Sequence, residues 1–104
     1  WLSCMIIEPD AMCKQVRGEQ EALYIGEQGK SCPTEILDAI ASINAEGRPI
    51  WKPMHMQPIF SRNAYYGNKI AETIFERGLC LPSGPSLTDE QILEVVSSIK
   101  KFIR

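Results

Sequence analysis

Residues 48–59, Arg48-Pro49-Ile50-Trp51-Lys52-Pro53-Met54-His55-Met56-Gln57-Pro58-Ile59, carry three prolines. Each proline removes a backbone donor and pushes the residue before it into extended geometry. No helix runs through such a stretch, and it cannot serve as a regular central strand. The segment predicts an edge strand leading into a loop, which residues 61–67 (SRNAYYG) continue.

The remaining elements arrange themselves around that constraint. Residues 1–8 (WLSCMIIE) form an apolar, β-branched run stopped by Pro9, which predicts a strand. Residues 9–32 read as a loop with a short strand at 21–25. Their apolar members Met12, Val16, Leu23, Tyr24 and Ile25 are interrupted by Gly18, Gly26 and Gly29. Ile36, Leu37, Ile40 and Ile43 recur at the helical period, predicting a helix over 34–45. Pro33 suits its first turn, Gly47 its left-handed stop, and Pro49 bars continuation. A second helix is expected over 68–77, with Ile70, Ala71, Ile74 and Phe75 on one face and Gly78 ending it. A brief strand at 79–81 is closed by Pro82, and Pro82-Ser83-Gly84-Pro85 is a turn. Thr88-Asp89-Glu90-Gln91 is a capping box opening a last helix over 89–102. Its stripe is Ile92, Val95, Val96, Ile99 and Phe102, with Lys100, Lys101 and Arg104 at its negative end. Three helices and three short strands predict a two-layer α+β domain.

The size fits one domain: 104 residues can bury an ordinary core without disulfides or metal. At 44% hydrophobic and 23% charged, the chain has enough apolar surface to offset its ordering entropy, which argues against disorder. Eleven basic against thirteen acidic residues give a net charge of −2, so no basic field invites nucleic acid or an anionic membrane. No apolar run approaches the roughly 20 residues of a membrane span. The sequence opens on Trp1-Leu2-Ser3-Cys4 inside a strand-like run, without an initiator Met or signal region. The expectation is a piece of a longer polypeptide.

The cysteines, Cys4, Cys13, Cys32 and Cys80, form no C-x-x-C pair, and His55 is the sole histidine. Zinc, which favours close local pairs of ligands, is not expected. Four reduced thiols in a cytosolic protein is the reading, with Cys4 and Cys80 as small buried hydrophobes. A Cys–His nucleophilic pair has no support in the spacing.

Segment 48–59 is also where chemistry is expected. Rigid irregular backbone presents Arg48, Trp51, Lys52 and His55 as ligand-binding candidates. Arg and Lys suit phosphate or carboxylate oxygens, Trp offers a flat wall, and His can bond or shuttle a proton. The competing reading makes Trp51 and Met54 core, Lys52 solvated and His55 merely satisfied. Leu81-Pro82-Ser83-Gly84-Pro85-Ser86 lacks the glycine spacing and lysine of a phosphate-binding loop and reads as a turn with a helix cap.

Three strings together carry a family resemblance. They are Arg48-Pro49-Ile50-Trp51-Lys52-Pro53-Met54-His55-Met56-Gln57-Pro58, then Ala71-Glu72-x-Ile74-Phe75-Glu76-Arg77-Gly78-Leu79-Cys80-Leu81-Pro82-Ser83-Gly84, then Leu87-Thr88-x-Glu90-Gln91. In order and spacing they resemble the C-terminal part of DegT/DnrJ/StrS-type sugar aminotransferases. Trp1-Leu2-Ser3-Cys4 resembles the opening strand of the small domain there. The resemblance covers residues 1–8 and 34–104; residues 9–32 match nothing in it.

The resemblance implies that residues 1–104 are the single C-terminal small domain of a fold-type-I, pyridoxal-phosphate-dependent homodimer in the cytoplasm. A short, mostly antiparallel sheet packed by about three helices would close the cleft. It implies amino transfer, usually from glutamate, to a nucleotide-linked 4-keto-6-deoxy sugar in polysaccharide or glycan biosynthesis. Pyridoxal phosphate would act as electron sink on a large domain absent here, and a lysine there would move the proton. His55, Trp51 and Lys52 would contact sugar nucleotide or cleft, with Arg48 shaping the segment. None of Lys14, Lys30, Lys52, Lys69, Lys100 or Lys101 sits in the family's Schiff-base context, so this piece is expected neither to bind the cofactor covalently nor to transaminate. Two alternatives stay open: a sugar dehydratase of the same family, and a non-catalytic α+β binding module. Exposed apolar faces are expected to make the isolated piece self-associate.

Overall fold

The structure, a computed structural model, describes residues 1–27 and 31–103. The readings placed on Gly29, Lys30 and Arg104 lie outside the described residues.

The sheet is built on its last strand. β5 (Gly78–Cys80) lies between β1 (Cys4–Ile6) and β4 (Arg48–Pro49), antiparallel to both. Cys4, Met5 and Ile6 face Cys80, Leu79 and Gly78, while Arg48 and Pro49 face Cys80 and Leu79. β5 is buried along its whole length, as a middle strand must be. Pro49, which has no N–H to give, sits on the edge strand that the prolines require. Both outer strands are shorter than the apolar runs that announce them. After β1 the chain turns through a 3-10 helix at Pro9–Ala11.

Helix α1 (Pro33–Ala41) starts on a proline, as expected, but stops four residues before 45. Asn44, at φ 60°, takes the left-handed position that the sequence assigns to Gly47. Asn tolerates that conformation because its short polar side chain bonds locally. Gly47 is required for another reason. A Cβ there would stand 2.6 Å from Ile40 Cδ1, 2.7 Å from Leu37 Cδ2 and 3.0 Å from the Cys80 carbonyl oxygen. A side chain at 47 would have to push aside the ends of Ile40 and Leu37 and press on the Cys80 carbonyl.

Helix α2 (Ile70–Arg77) begins two residues later than expected, after a left-handed Lys69 at φ 64°. Phe75 is its buried residue and Ile74 is half-buried, while Ile70 and Ala71 stand exposed. Gly78 ends the helix in extended geometry and enters β5 at once. Helix α3 (Asp89–Lys100) carries both halves of the capping box. Gln91 N donates to Thr88 Oγ1 at 3.2 Å, and Thr88 N donates to Gln91 Oε1 at 2.9 Å.

α3 presents Val95, Ser98 and Ile99 to the core, with half-buried Phe102 following. That stripe is narrower than expected, because Ile92 and Val96 are exposed. They line an open cleft with Leu81 and Leu87. Ile7, Ile36, Ile40, Leu79, Val95 and Ile99 make the core, to which β1's following residue, α1, β5 and α3 contribute. The α+β expectation holds.

The stretch 9–32 holds more order than its sequence suggests. β2 (Gln15–Val16) and β3 (Ile25–Gly26) pair antiparallel. The strand read at 21–25 touches β3 only at Ile25, and β2 gives no sequence signal. Cys4 is also corrected: it is exposed, while its partner Cys80 is buried. The edge position of β1 leaves one face of Cys4 in solvent.

Candidate functional site

The prolines fold residues 53–60 into two successive 3-10 turns, Met54–Met56 and Pro58–Phe60, with extended Pro53 and Gln57 before each. Met56 N bonds the Pro53 carbonyl at 3.0 Å and Phe60 N the Gln57 carbonyl at 2.9 Å. Proline fixes φ near the value such turns need, so little backbone freedom remains to be lost. The Gln57 amide donates to the Lys52 carbonyl at 3.3 Å, tying the first turn to the chain before it.

This places His55 against α2. Its Nε2 lies 2.7 Å from Glu72 Oε1, and the two side chains are 19% and 33% exposed. Its ring stacks on Tyr65, with centroids 3.7 Å apart and planes inclined by 17°. His55 and Tyr65 join Met54, Phe60 and Asn63 around a cavity of about 250 Å³. A histidine paired with a carboxylate and facing a cavity can bind an anionic oxygen or move a proton.

The other candidates stand apart from this cluster. Trp51 is 70% exposed and Met54 61%, so the reading that makes them core fails. Lys52 is half-buried and donates to the Glu21 carbonyl at 3.4 Å. Arg48 pairs with Glu46 at 2.5 Å, with both side chains largely exposed. Among the described residues no hydrogen bond or ion pair links Arg48, Trp51, Lys52 and His55 to one another.

Glu72 and Tyr65 escaped the sequence reading. They stand 17 and 10 residues from His55, at no spacing that signals contact. A first-turn glutamate reads simply as a helix-dipole partner.

Elsewhere the side chains serve structure. Ser3 N donates to Ser83 Oγ at 2.8 Å, and Ser83 Oγ donates to the Leu81 carbonyl at 2.8 Å, so Ser83 ties the segment after β5 to the residue before β1. The turn expected over 82–85 lies instead at Pro85–Ser86, closed by Leu87 N on the Gly84 carbonyl at 3.2 Å. The thiols lie in two pairs. Cys4 Sγ and Cys80 Sγ are 3.6 Å apart across the sheet. A Cβ on Gly26 would meet both Cys32 Sγ, at 2.5 Å, and Cys13 Sγ, at 3.0 Å. Burial pushes the Cys32 thiol up to about 11, against the opposing pull of the Glu35 backbone; burial and the neighbouring Cys4 push Cys80 up. No cluster of three metal-binding side chains occurs among the described residues. No helix among them is long and apolar enough to cross a membrane.

Comparison with known proteins gives these features a family context. The sequence profile of the DegT/DnrJ/EryC1/StrS aminotransferase family matches residues 11–100. A protein of Bacillus subtilis named as the pyridoxal phosphate-dependent aminotransferase EpsN is 38% identical over 71 residues, 62% of this chain and 18% of that protein. A GDP-perosamine synthase of Escherichia coli O157:H7 is 38% identical over 68 residues, 65% of this chain and 18% of that protein. The GDP-perosamine synthase of Caulobacter vibrioides is 28% identical over 79 residues, 76% of this chain and 21% of that protein. The chain thus spans about a fifth of the length of the curated relatives it matches.

Proposed function

The chain belongs to the DegT/DnrJ/EryC1/StrS aminotransferase family, and from that premise we propose that it is the C-terminal small domain of a sugar aminotransferase. The whole protein would transfer an amino group, with glutamate as donor, to a nucleotide-linked 4-keto-6-deoxy sugar. One observation carries this reading. Two relatives sharing this stretch are named for a nucleotide-linked amino sugar, GDP-perosamine.

His55, Trp51, Lys52 and Arg48 are the residues we assign to the substrate side. His55 would meet an anionic oxygen of the nucleotide from the cavity it lines. The exposed Trp51 ring offers a flat surface for a sugar or base. Lys52 would bring positive charge to the nucleotide once released from the Glu21 carbonyl, and Arg48 shapes the edge strand from which the segment departs.

Pyridoxal phosphate, which supplies the electron sink for such chemistry, does not fit the residues described here. Lys14, Lys69, Lys100 and Lys101 stand exposed, and Lys52 already donates to the Glu21 carbonyl. We assign its binding to the rest of the longer protein, working as a cytoplasmic homodimer.

The test is amination by the full-length protein. GDP- and UDP-linked 4-keto-6-deoxy sugars are incubated with glutamate and pyridoxal phosphate, and products are read by mass spectrometry. An aminated sugar with equimolar 2-oxoglutarate is expected. A dehydrated sugar would move the protein to the dehydratase reading, and no turnover of either sugar nucleotide would overturn the assignment. Trp51→Ala and His55→Ala should each raise the sugar-nucleotide KM; unchanged values would remove those residues from the site.

A further inference from the structure

We propose that Glu72 is the positioning residue of His55, and that it influences ligand only through the histidine ring. The inference rests on the reading of His55 as a ligand contact.

An ionised carboxylate can only accept a hydrogen bond. With Glu72 Oε1 2.7 Å away, Nε2 of His55 carries a proton and donates it to that oxygen. Nδ1 is then the nitrogen left to face a ligand, and it has no hydrogen-bond partner among the described residues. When the ring is neutral, Nδ1 accepts. When it is protonated, Nδ1–H donates, with Glu72 balancing the charge beside it.

Two different contacts fix the ring. Stacking on Tyr65 sets the plane of the imidazole, and the bond to Glu72 sets its rotation within that plane. His55 needs such outside support. It sits on a single 3-10 turn, and the turn's closing bonds hold the backbone while leaving χ1 and χ2 free. Glu72 is well placed to give it. It lies in the first turn of α2, where a carboxylate also suits the positive helix end. The left-handed Lys69 fixes where that helix starts, and with it the position of Glu72.

The alternative is an incidental ion pair. Such a pair contributes little and couples to nothing else. A positioning residue differs in one measurable way: its removal has no effect once the residue it positions is gone.

The test uses the full-length protein, with GDP and UDP as probes in calorimetric titrations and the sugar nucleotide in kinetics. His55→Ala and Glu72→Ala should each weaken nucleotide binding, by roughly three- to tenfold for the net loss of one ordinary hydrogen bond. The rise should fall mainly on KM. The double variant should bind no worse than His55→Ala. Glu72→Gln, whose amide oxygen still accepts from Nε2–H, should keep most of the affinity. With ¹⁵N-labelled histidine, a slowly exchanging Nε2–H resonance is expected in the parent and in Glu72→Gln, and its loss in Glu72→Ala. Additive losses in the double variant, or an Nε2–H resonance indifferent to Glu72→Ala, would overturn the proposal. If His55→Ala weakens binding and Glu72→Ala does not, the positioning role alone falls. If His55→Ala leaves nucleotide binding unchanged, the ligand-contact reading falls and the positioning role with it.

Discussion

Gly78 marks the point where α2 passes directly into β5, and the junction leaves no space for a single extra carbon. Its φ of −102° is open to any residue, so its need is steric. A Cβ would stand 2.5 Å from the Ile74 carbonyl oxygen and 2.7 Å from Ile50 Cγ1. The first of these is backbone in a helix and cannot swing aside. Gly78→Ala should therefore cost about 1–3 kcal/mol, the usual penalty of overpacking, seen as a lower urea midpoint with unchanged slope. The thiols make a second residue-scale case. Cys4 is exposed, whereas Cys32 and Cys80 are buried with thiols pushed up. Only the thiolate reacts, so at pH 8 an alkylating reagent should label Cys4 first and the buried pair slowly, with peptide mass mapping giving the order. Equal labelling rates would show that the core opens readily. At this scale the sequence reached His55 through its setting among prolines. It could not reach Glu72 or Tyr65, because a contact made by tertiary folding leaves no periodic trace along the chain.

Elements were legible where a period or a stop chemistry exists. The Thr88 box predicted the start of α3 to the residue, since two reciprocal hydrogen bonds need those side chains three apart. Thr88→Ala should cost about 1 kcal/mol, measurable as a fall in melting temperature. β2 and β3 were not legible in the same way, because two-residue strands are too short to show alternation. α3's solvent side was misread because Ile92 and Val96 share the helical period with Val95 and Ile99. The period identifies an apolar face but not which neighbour covers it. Strand register carries a further consequence. Leu81 N bonds the Ser3 carbonyl at 2.8 Å and Ile7 N the Arg77 carbonyl at 3.0 Å. Cys4 and Cys80 lie between those bonded positions as a non-hydrogen-bonded pair. Such pairs hold their Cα atoms about 4.5 Å apart, at the short end of what a disulfide spans. Added oxidised glutathione should therefore link Cys4 to Cys80. The two thiols give up two protons and two electrons, and one glutathione disulfide becomes two glutathiones. The exposed Cys4 reacts first, and Cys80 displaces glutathione from it. Peptide mapping that finds only glutathionylated Cys4 would exclude the link.

The whole molecule exposes more surface than its mass calls for. A compact monomer of 11.7 kDa is expected to show about 5,900 Å², and this chain shows 7627 Å². Its radius of gyration, 14.8 Å, likewise exceeds the roughly 13 Å of a self-contained domain of this length. The excess, roughly 1,700 Å², is about twice the roughly 800 Å² that one partner gives to an ordinary protein interface. Apolar side chains supply part of it. Trp51, Ile59 and Tyr66 are 70%, 79% and 92% exposed, and Leu93 and Ile92 on α3 are 63% and 46% exposed. Monomers rarely leave such groups uncovered over large patches. With a net charge of −2 there is little repulsion to keep copies apart. The chain produced alone should therefore self-associate, its weight-average mass in sedimentation equilibrium rising from the micromolar to the millimolar range. Added salt should not reverse this, because burial of apolar surface is not screened. Ile92→Lys together with Leu93→Lys should shift the association to higher concentration and leave the unfolding midpoint almost unchanged, since neither side chain belongs to the core. A strictly monomeric species at millimolar concentration would mean that the exposed faces do not adhere. The surplus surface would then reflect an open shape rather than a missing neighbour.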